Sequence, residues 1–404
     1  VIEEQIDILI VGGGLTGATL MLALADHGFK VRLIDAKPLC DRVQPEFDAR
    51  TLALSPASVR ILERLALWPL LKADATPIDA IHVSERYRFG TAYLQKDQDE
   101  SLGYVLEMQH ISSALLQLLD SDKILAPAEL RALDVDSGTA TLHYEGKDQR
   151  VQAKLIVAAD GSWSSVRRMA GLRVDSKAYN QQAIVANIGL NRPHANIAYE
   201  RFTAAGPLAM LPMTSQRAAL IWALQPAEAT RLMALNDKAF LAELQIAFGY
   251  RLGRLIKVGK RSTWPLQQLI MPQQVAWPLV FVGNAAHTLH PVAGQGFNLG
   301  LRDVAMLAQC LIETGLNPGT LARYQAARRY DQAAIIRLTD GLVSTFSNAF
   351  PGLGLLRSLG LAAADQVPVL KRMLSRHARG FAGVVPDLAC GIDLKPGRHD
   401  DKAV

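Results

Sequence analysis

Ile6-Asp7-Ile8-Leu9-Ile10-Val11-Gly12-Gly13-Gly14-Leu15-Thr16-Gly17 is the stretch on which the reading of this chain turns. Ile6 to Val11 is a short apolar run, the pattern of a strand buried on both faces of a parallel sheet. The glycines turn the chain, and Thr16 to His27 reads as a helix closed by Gly28. Lys30 to Ile34 returns as a second strand ending at Asp35, completing one βαβ unit. In that context Gly12, Gly14 and Gly17 fit G-x-G-x-x-G. Gly12 permits the tight turn, Gly14 lets a pyrophosphate approach the backbone, and Gly17 lets helix and strand pack closely. The helix N-terminus offers N–H groups to the anion, and Asp35 stands where a carboxylate can accept hydrogen bonds from a ribose. Ile8 to Ala25 carries no charge and raises the question of a membrane span. Its glycines interrupt it early, and the acidic Glu3, Glu4 and Asp7 have the wrong sign for a signal peptide. The sequence therefore predicts a buried strand–turn–helix, with no transmembrane segment and no export signal.

Outward from this unit the pattern is less regular. Pro56 to Leu67 and His110 to Leu119 read as helices, and Ile78 to Ser84 and Val151 to Ala158 as strands. Gln181 to Leu224 alternates β-rich stretches with Pro, Gly and Asn, as an antiparallel sheet does. Pro278 to Val282 is a last buried strand, and the chain is mostly helical from Gly296 onward. The expected fold class is α/β (α+β), with a Rossmann-like dinucleotide domain, an inserted antiparallel-sheet domain and a helical C-terminus.

The chain has 404 residues, half of them hydrophobic and 20% charged, enough for two domains sharing an interface. A net charge of +5 comes from scattered Lys and Arg without interleaved aromatics, which argues against nucleic acid. Cys40, Cys310 and Cys390 lie far apart, without C-x-x-C spacing, and fit a reducing cytosol. His287 and His290 are spaced like a metal pair but lack a third ligand nearby, so no metal is expected and a shaping role is the simpler account.

Two later segments separate FAD from NAD. Ala159-Asp160-Gly161-Ser162-Trp163-Ser164-Ser165-Val166-Arg167 resembles the D-G-x-x-S-x-V-R motif of the para-hydroxybenzoate-hydroxylase-like flavoprotein monooxygenases. Gly283-Asn284-Ala285-Ala286-His287, with His290-Pro291 and Gly294-Gln295-Gly296-Phe297-Asn298, resembles their G-D-A-A-H…P…G-x-G-x-N motif. The motifs keep the family's order and span almost the whole chain. The resemblance implies FAD as cofactor, NADH or NADPH as reductant and dioxygen as co-substrate. It also implies a discontinuous FAD domain (1–75, 100–175, 276–345), a substrate domain (76–99, 176–275) and a C-terminal helical region (346–404).

By the same resemblance Arg50 contacts the FAD phosphates, Gln109 makes a further contact, and Asp160 and Gly161 have a structural and NAD(P)H-linked role. Gly283 and Asn284 reach the ribityl chain, where the family usually has Asp in place of Asn284. His290 and Pro291 lie near the ring, and Gly294, Gly296 and Asn298 belong to its pyrimidine edge. No protein acid or base is singled out as catalytic, because the flavin carries the chemistry. A disulfide reductase would need a redox cysteine pair and a second nucleotide fingerprint; Gly352-Leu353-Gly354 lacks the preceding strand. A nicotinamide-only dehydrogenase would leave both later motifs unexplained, and a flavin-binding scaffold is the non-enzyme alternative.

His290 to Asp303 and Glu200 to Met213 resemble the ubiquinone-biosynthesis hydroxylases, closest to the branch acting on 2-polyprenyl-6-methoxyphenols. This implies a polyprenylated phenol hydroxylated para to its oxygen; the alternatives are an ortho-hydroxylating relative of that pathway or a hydroxylase of another phenol. Phe202, Leu211 and Pro212 are candidate substrate walls. The expected location is cytoplasmic; the apolar and basic stretch Gly352 to Phe381 reads either as a helix meeting the membrane's inner face or a biosynthetic complex, or as a C-terminal helix packed on the protein's own core.

Overall fold

The computed structural model describes residues 4–39, 50–88, 91–96, 100–346 and 379–396. Its first sheet is built on strand Glu4–Val11, flanked in parallel by Lys147–Ala158 and Val31–Ile34. Leu279–Phe281 and Ile124–Leu125 extend it in parallel on either side. The central position explains the apolar run. Ile8 and Ile10 face helices Leu15–Ala23 and Gln295–Thr314, while Leu9 and Val11 face Ile156 and Phe281. Ile8, Leu9 and Ile10 are fully buried, each contributing about 1.5–3 kcal/mol of apolar transfer.

The first helix is shorter than the sequence suggests. It ends at Ala23, and Asp26 takes φ 61° before Gly28 is reached. A hairpin, Ala128–Asp134 with Thr139–Tyr144, adds to the outer half of Lys147–Ala158 and was not foreseen.

The second sheet runs His287–Thr288, Ser262–Ile270, Asp175–Leu190, Arg217–Leu224, Gly206–Met213, Ile197–Thr203, Ala80–Glu85, Thr91–Gln95. Only Ile197–Thr203 beside Ala80–Glu85 is parallel. Away from the irregularities at Ala178–Gln181 and Gly189–Leu190, its side chains alternate between two faces. Ile184, Ile188, Leu208, Met210, Leu220 and Trp222 pack on helices Pro226–Met233 and Asp237–Phe248. Ala183, Val185, Ala209, Leu211 and Ile221 take the opposite face, toward the first sheet. A small sheet of Thr51–Leu54, Gly103–Glu107 and Thr76–Ile78 lies between the two.

Strands from 80–95 and 175–270 thus form one sheet, but its last strand, His287–Thr288, falls within the segment assigned to the cofactor domain. The chain crosses from the first sheet to the second just after Phe281.

Helix Gln295–Thr314 packs against helix Pro318–Phe346. Of the expected C-terminal helical region, only 379–396 is described, with a single helical turn, Asp387–Cys390, against helix Pro56–Arg64. Gly352-Leu353-Gly354 and nearly all of the Gly352 to Phe381 stretch lie outside the described residues. Among those described, no helix is long and apolar enough to cross a membrane.

Candidate functional site: a cleft between two sheets

The three glycine-bearing motifs meet at one place. Gly12, at φ 107°, lies so close to the second motif that a Cβ there would sit 2.5 Å from the Ala159 carbonyl oxygen. A Cβ on Gly17 would fall 1.9 Å from the Gly12 oxygen. One on Gly283 would press within 3.0 Å of the Thr16 side chain, so the third motif abuts the first. These glycines are required by close backbone packing.

Gly14 and Gly296 differ, because a Cβ at either would meet nothing within 4 Å. Both stand at the N-terminus of a helix that opens into a cleft of about 550 Å3. Neither helix has a side-chain cap or an acidic residue in its first turn. Two uncapped, electropositive helix ends therefore face one cavity, an arrangement suited to an anion at each. Gly294, at φ 60°, turns the chain into the second helix.

Asn298 secures that turn with its whole amide. Its oxygen accepts from Ser55 N (2.8 Å) and Ser58 Oγ (2.7 Å), and its nitrogen donates to the Ala53 and Gly294 carbonyls (2.8 Å each). No capacity is left for a cofactor, so the Asn298 side chain acts by fixing Gly294.

Arg50, Gly161, Gly283, Asn284, His290 and Pro291 line the same cleft, with the Asn284 side chain exposed in it. Asp35 accepts the Gly13 (2.7 Å) and Lys37 (2.8 Å) amides, one on each oxygen. Asp160 caps helix Ser165–Met169 through Oδ2, which accepts Ser165 N at 2.7 Å and Ser165 Oγ at 2.9 Å. Its Oδ1 is buried without a partner, as is Nε2 of His290. His290 Nδ1 accepts the Val292 amide at 3.2 Å, so a neutral ring carries its proton on Nε2. Burial pushes the His290 pKa down to about 4, keeping it neutral at pH 7. An orphaned donor and an orphaned acceptor beside two uncapped helix ends are the groups that a phosphate-bearing, hydroxylated cofactor would satisfy.

Over this polar floor lies an apolar roof of Ala183, Val185, Leu211, Ile221 and Leu266, with Trp264 half exposed. Alternation explains two departures from expectation. Leu211 faces the cleft, but the adjacent Pro212 pairs with Ala218 and belongs to the helix-backed face. Phe202 has the cleft-facing parity but is buried beyond the cavity against Val292. Gln109 does not reach the cleft: its amide donates to Glu107 (2.7 Å), and Met108 takes the wall position. Glu107 in turn pairs with the buried Arg217 at 2.9 Å.

His287 follows the turn at Gly283 and is fully buried, its Nε2 2.5 Å from Asp303 Oδ2. Asp303 Oδ1 accepts from Arg328 Nε (2.7 Å) and Gln332 Nε2 (3.0 Å), and Arg328 and Arg302 both reach Asp331 (2.8 Å each). Burial alone would raise the Asp303 pKa, but the His287 ring and the Arg328 guanidinium outweigh it and hold the carboxyl far below its usual range. The sequence reading missed this network; its signal was Arg328, Asp331 and Gln332 on the same helix face as the apolar Tyr324 and Ile335.

The discontinuous parallel sheet, the two helix-ended glycine turns and the apolar second sheet over them define an FAD-dependent monooxygenase. Solved structures share the fold: p-nitrophenol 4-monooxygenase of Pseudomonas putida (TM-score 0.76, 18% identity, 93% of this chain and 99% of that one), and a probable FAD-dependent monooxygenase of Pseudomonas aeruginosa (TM-score 0.73, 22% identity, 89% of this chain and all of that one). The FAD binding domain family matches residues 5–339. Ubiquinone hydroxylase UbiL of Rhodospirillum rubrum is 39% identical, over 95% of this chain and 92% of that one. The 3-demethoxyubiquinol 3-hydroxylase of Escherichia coli is 34% identical, over 94% of this chain and 100% of that one. The mitochondrial ubiquinone biosynthesis monooxygenase of Xenopus tropicalis is 27% identical, over 92% and 93%. This chain belongs to the FAD-dependent hydroxylase family of ubiquinone biosynthesis.

Proposed function

We propose that this protein hydroxylates the ring of a polyprenylated phenol para to its oxygen, using NADH or NADPH and dioxygen. The observation that carries the reading is the two-sided cleft, with open glycines and helix ends below and an unbroken aliphatic wall above. FAD, when bound, supplies the redox and oxygen chemistry. Gly14 and the N–H groups of helix Leu15–Ala23 would hold its pyrophosphate, and Arg50 would add a cation. Asn284 and Asp160 would take ribityl and ribose hydroxyls. Gly294 and Gly296 would present N–H groups to the ring edge, where negative charge develops on reduction. Val185, Leu211 and Ile221 would press the aromatic ring into place and exclude water, with Trp264 toward the tail.

A phenol oxygen donates density to its ortho and para carbons. In a 2-polyprenyl-6-methoxyphenol both ortho positions are substituted, which leaves para. The name of the Escherichia coli relative favours a second reading, in which the ring is a more substituted demethoxyquinol. The deciding experiment reduces the holoenzyme anaerobically with NADH or NADPH, then admits oxygen with each short-tailed ring in turn. We expect a 1,4-hydroquinone from the methoxyphenol. Product only from the demethoxyquinol would transfer the assignment to the second reading, and no hydroxylated product from either would sink both.

A further inference from the structure

One row of side chains runs across the cleft face of the second sheet. Val185 pairs with Ile221, Ile221 with Ala209, Ala209 with Glu200, and Glu200 with Val83. The first two line the cleft, and Ala209 interposes only a methyl group before the carboxylate. Glu200 therefore stands two strand spacings from Ile221, or about 10 Å between backbones, on the same face. On one side Ala198 and Leu211 join the apolar cluster around Ile78 and Val105; on the other, Phe202 and Val83 join the cluster with Val292. Helix Pro318–Phe346 packs over the neighbouring strand and the turn Val292–Gly294. Glu200 is half-buried within these walls, and its carboxylate has no hydrogen-bond or ion-pair partner among the described residues.

We propose that Glu200 accepts the proton of the substrate's phenolic hydroxyl as the ring is hydroxylated, an assignment that rests on the hydroxylase reading above. The O–H bond breaks and its proton passes to a carboxylate oxygen. The electron pair left on the phenol oxygen forms C=O and drives ring density into the new C–O bond at the attacked carbon. The inserted oxygen is one atom of dioxygen; the O–O bond breaks as the C–O bond forms, and the other atom leaves as water with the two electrons that the nicotinamide supplies. Loss of the ring hydrogen as a proton then restores the aromatic hydroquinone.

Burial raises the Glu200 pKa from 4.5 to about 7. A carboxylate of that basicity is closer to a phenol of pKa about 10 than an ordinary glutamate is. As the ring gives up density its hydroxyl becomes far more acidic, and the transfer turns downhill.

Among the described residues, the other ionisable groups toward this side include Glu85, on the next strand diagonally opposite, the buried Glu107–Arg217 pair nearer the small sheet, Arg50 on the cleft and Lys177 paired with Asp340. Tyr179, His290 and Asp340 lie across the Phe202–Val292 cluster. Arg201 alternates onto the opposite, helix-backed face, beside Leu208. None of these contributes to the Glu200 shift, whose only cause is desolvation.

The test is the pH dependence of kcat and kcat/KM for phenol hydroxylation by the holoenzyme, Glu200→Gln and Glu200→Asp, with FAD content as the control for folding. Because the carboxylate must be ionised to accept a proton, wild-type kcat should rise through a limb near pH 7. Glu200→Gln should lose that limb and about 100-fold in kcat with little change in KM, and Glu200→Asp should keep the limb at reduced rate. A Glu200→Gln enzyme within twofold of wild type, with the limb intact, would overturn the assignment while the hydroxylase reading stood. A wild-type enzyme that hydroxylates no phenol would remove both.

Discussion

At the scale of single residues, the glycines divide into those that close backbone packing requires and those that stand open to the cleft. Gly14 has an ordinary extended backbone, φ −65° and ψ 179°, and open space where its Cβ would be. Gly14→Val should therefore leave the apo protein's unfolding midpoint near wild type but fill the pyrophosphate's place, removing most of the bound flavin absorbance. Gly17→Ala should instead destabilise the fold, because its Cβ has no room against Gly12. Full flavin retention in Gly14→Val would put the phosphate site elsewhere.

His290 yields a pH prediction with a definite sign. Its folded pKa, about 4, lies below the 6.5 of an ordinary histidine, so the unfolded chain binds its proton first. The neutral ring's stabilisation is complete above pH 6.5 and fades as pH falls toward 4, by at most about 3 kcal/mol. The urea midpoint should fall further between pH 7 and pH 4.5 for wild type than for His290→Gln; parallel losses in the two proteins would show that the ring is solvated.

At the scale of elements, local chemistry was legible and pairing at a distance was not. The strand–turn–helix from Glu4 to Ala23 announces itself because every constraint lies within a few residues: the buried run, the turn glycines, the free helix end. The later motifs were legible as resemblance, and their convergence on Gly12 and Thr16 gives it a packing basis. Nothing local tells Ile197–Thr203 to lie parallel to Ala80–Glu85, more than a hundred residues away. Nor could the register be read, and a one-residue error in it exchanges the two faces of a strand. That is why Leu211 stands in the roof while Pro212 does not. It is also why the sequence presents Glu200 only as the start of a resembling stretch and not as an acid–base group, since only the observed pairing puts it in a row with Ile221.

At the scale of the whole molecule, the question is what keeps the roof in register with the floor. Strand His287–Thr288 belongs to the roof sheet, yet it follows Asn284 directly and precedes the turn at Gly294. The piece of chain that carries Asn284 and the turn at Gly294, both in the cleft's lining, is thus also the roof's edge strand. Behind it His287 is held by Asp303, and Asp303 is held in turn by Arg328 from the long helix Pro318–Phe346. Every charged member of that network is buried, so deleting one leaves its partners' charges uncompensated in a low-dielectric interior. Arg328→Met should cost about 3–5 kcal/mol in the denaturant midpoint. By contrast Arg231→Ala, which breaks an exposed contact with Glu228 and Glu243, should cost no more than about 1 kcal/mol. If the network also fixes the roof, the Arg328→Met protein that remains folded should hold FAD less tightly and consume more NAD(P)H per hydroxylated product, because water reaches the ring. Stability lost without any change in flavin affinity or coupling would mean that the buried charges serve the helix pair alone, and that the roof is held by its own hydrogen bonds.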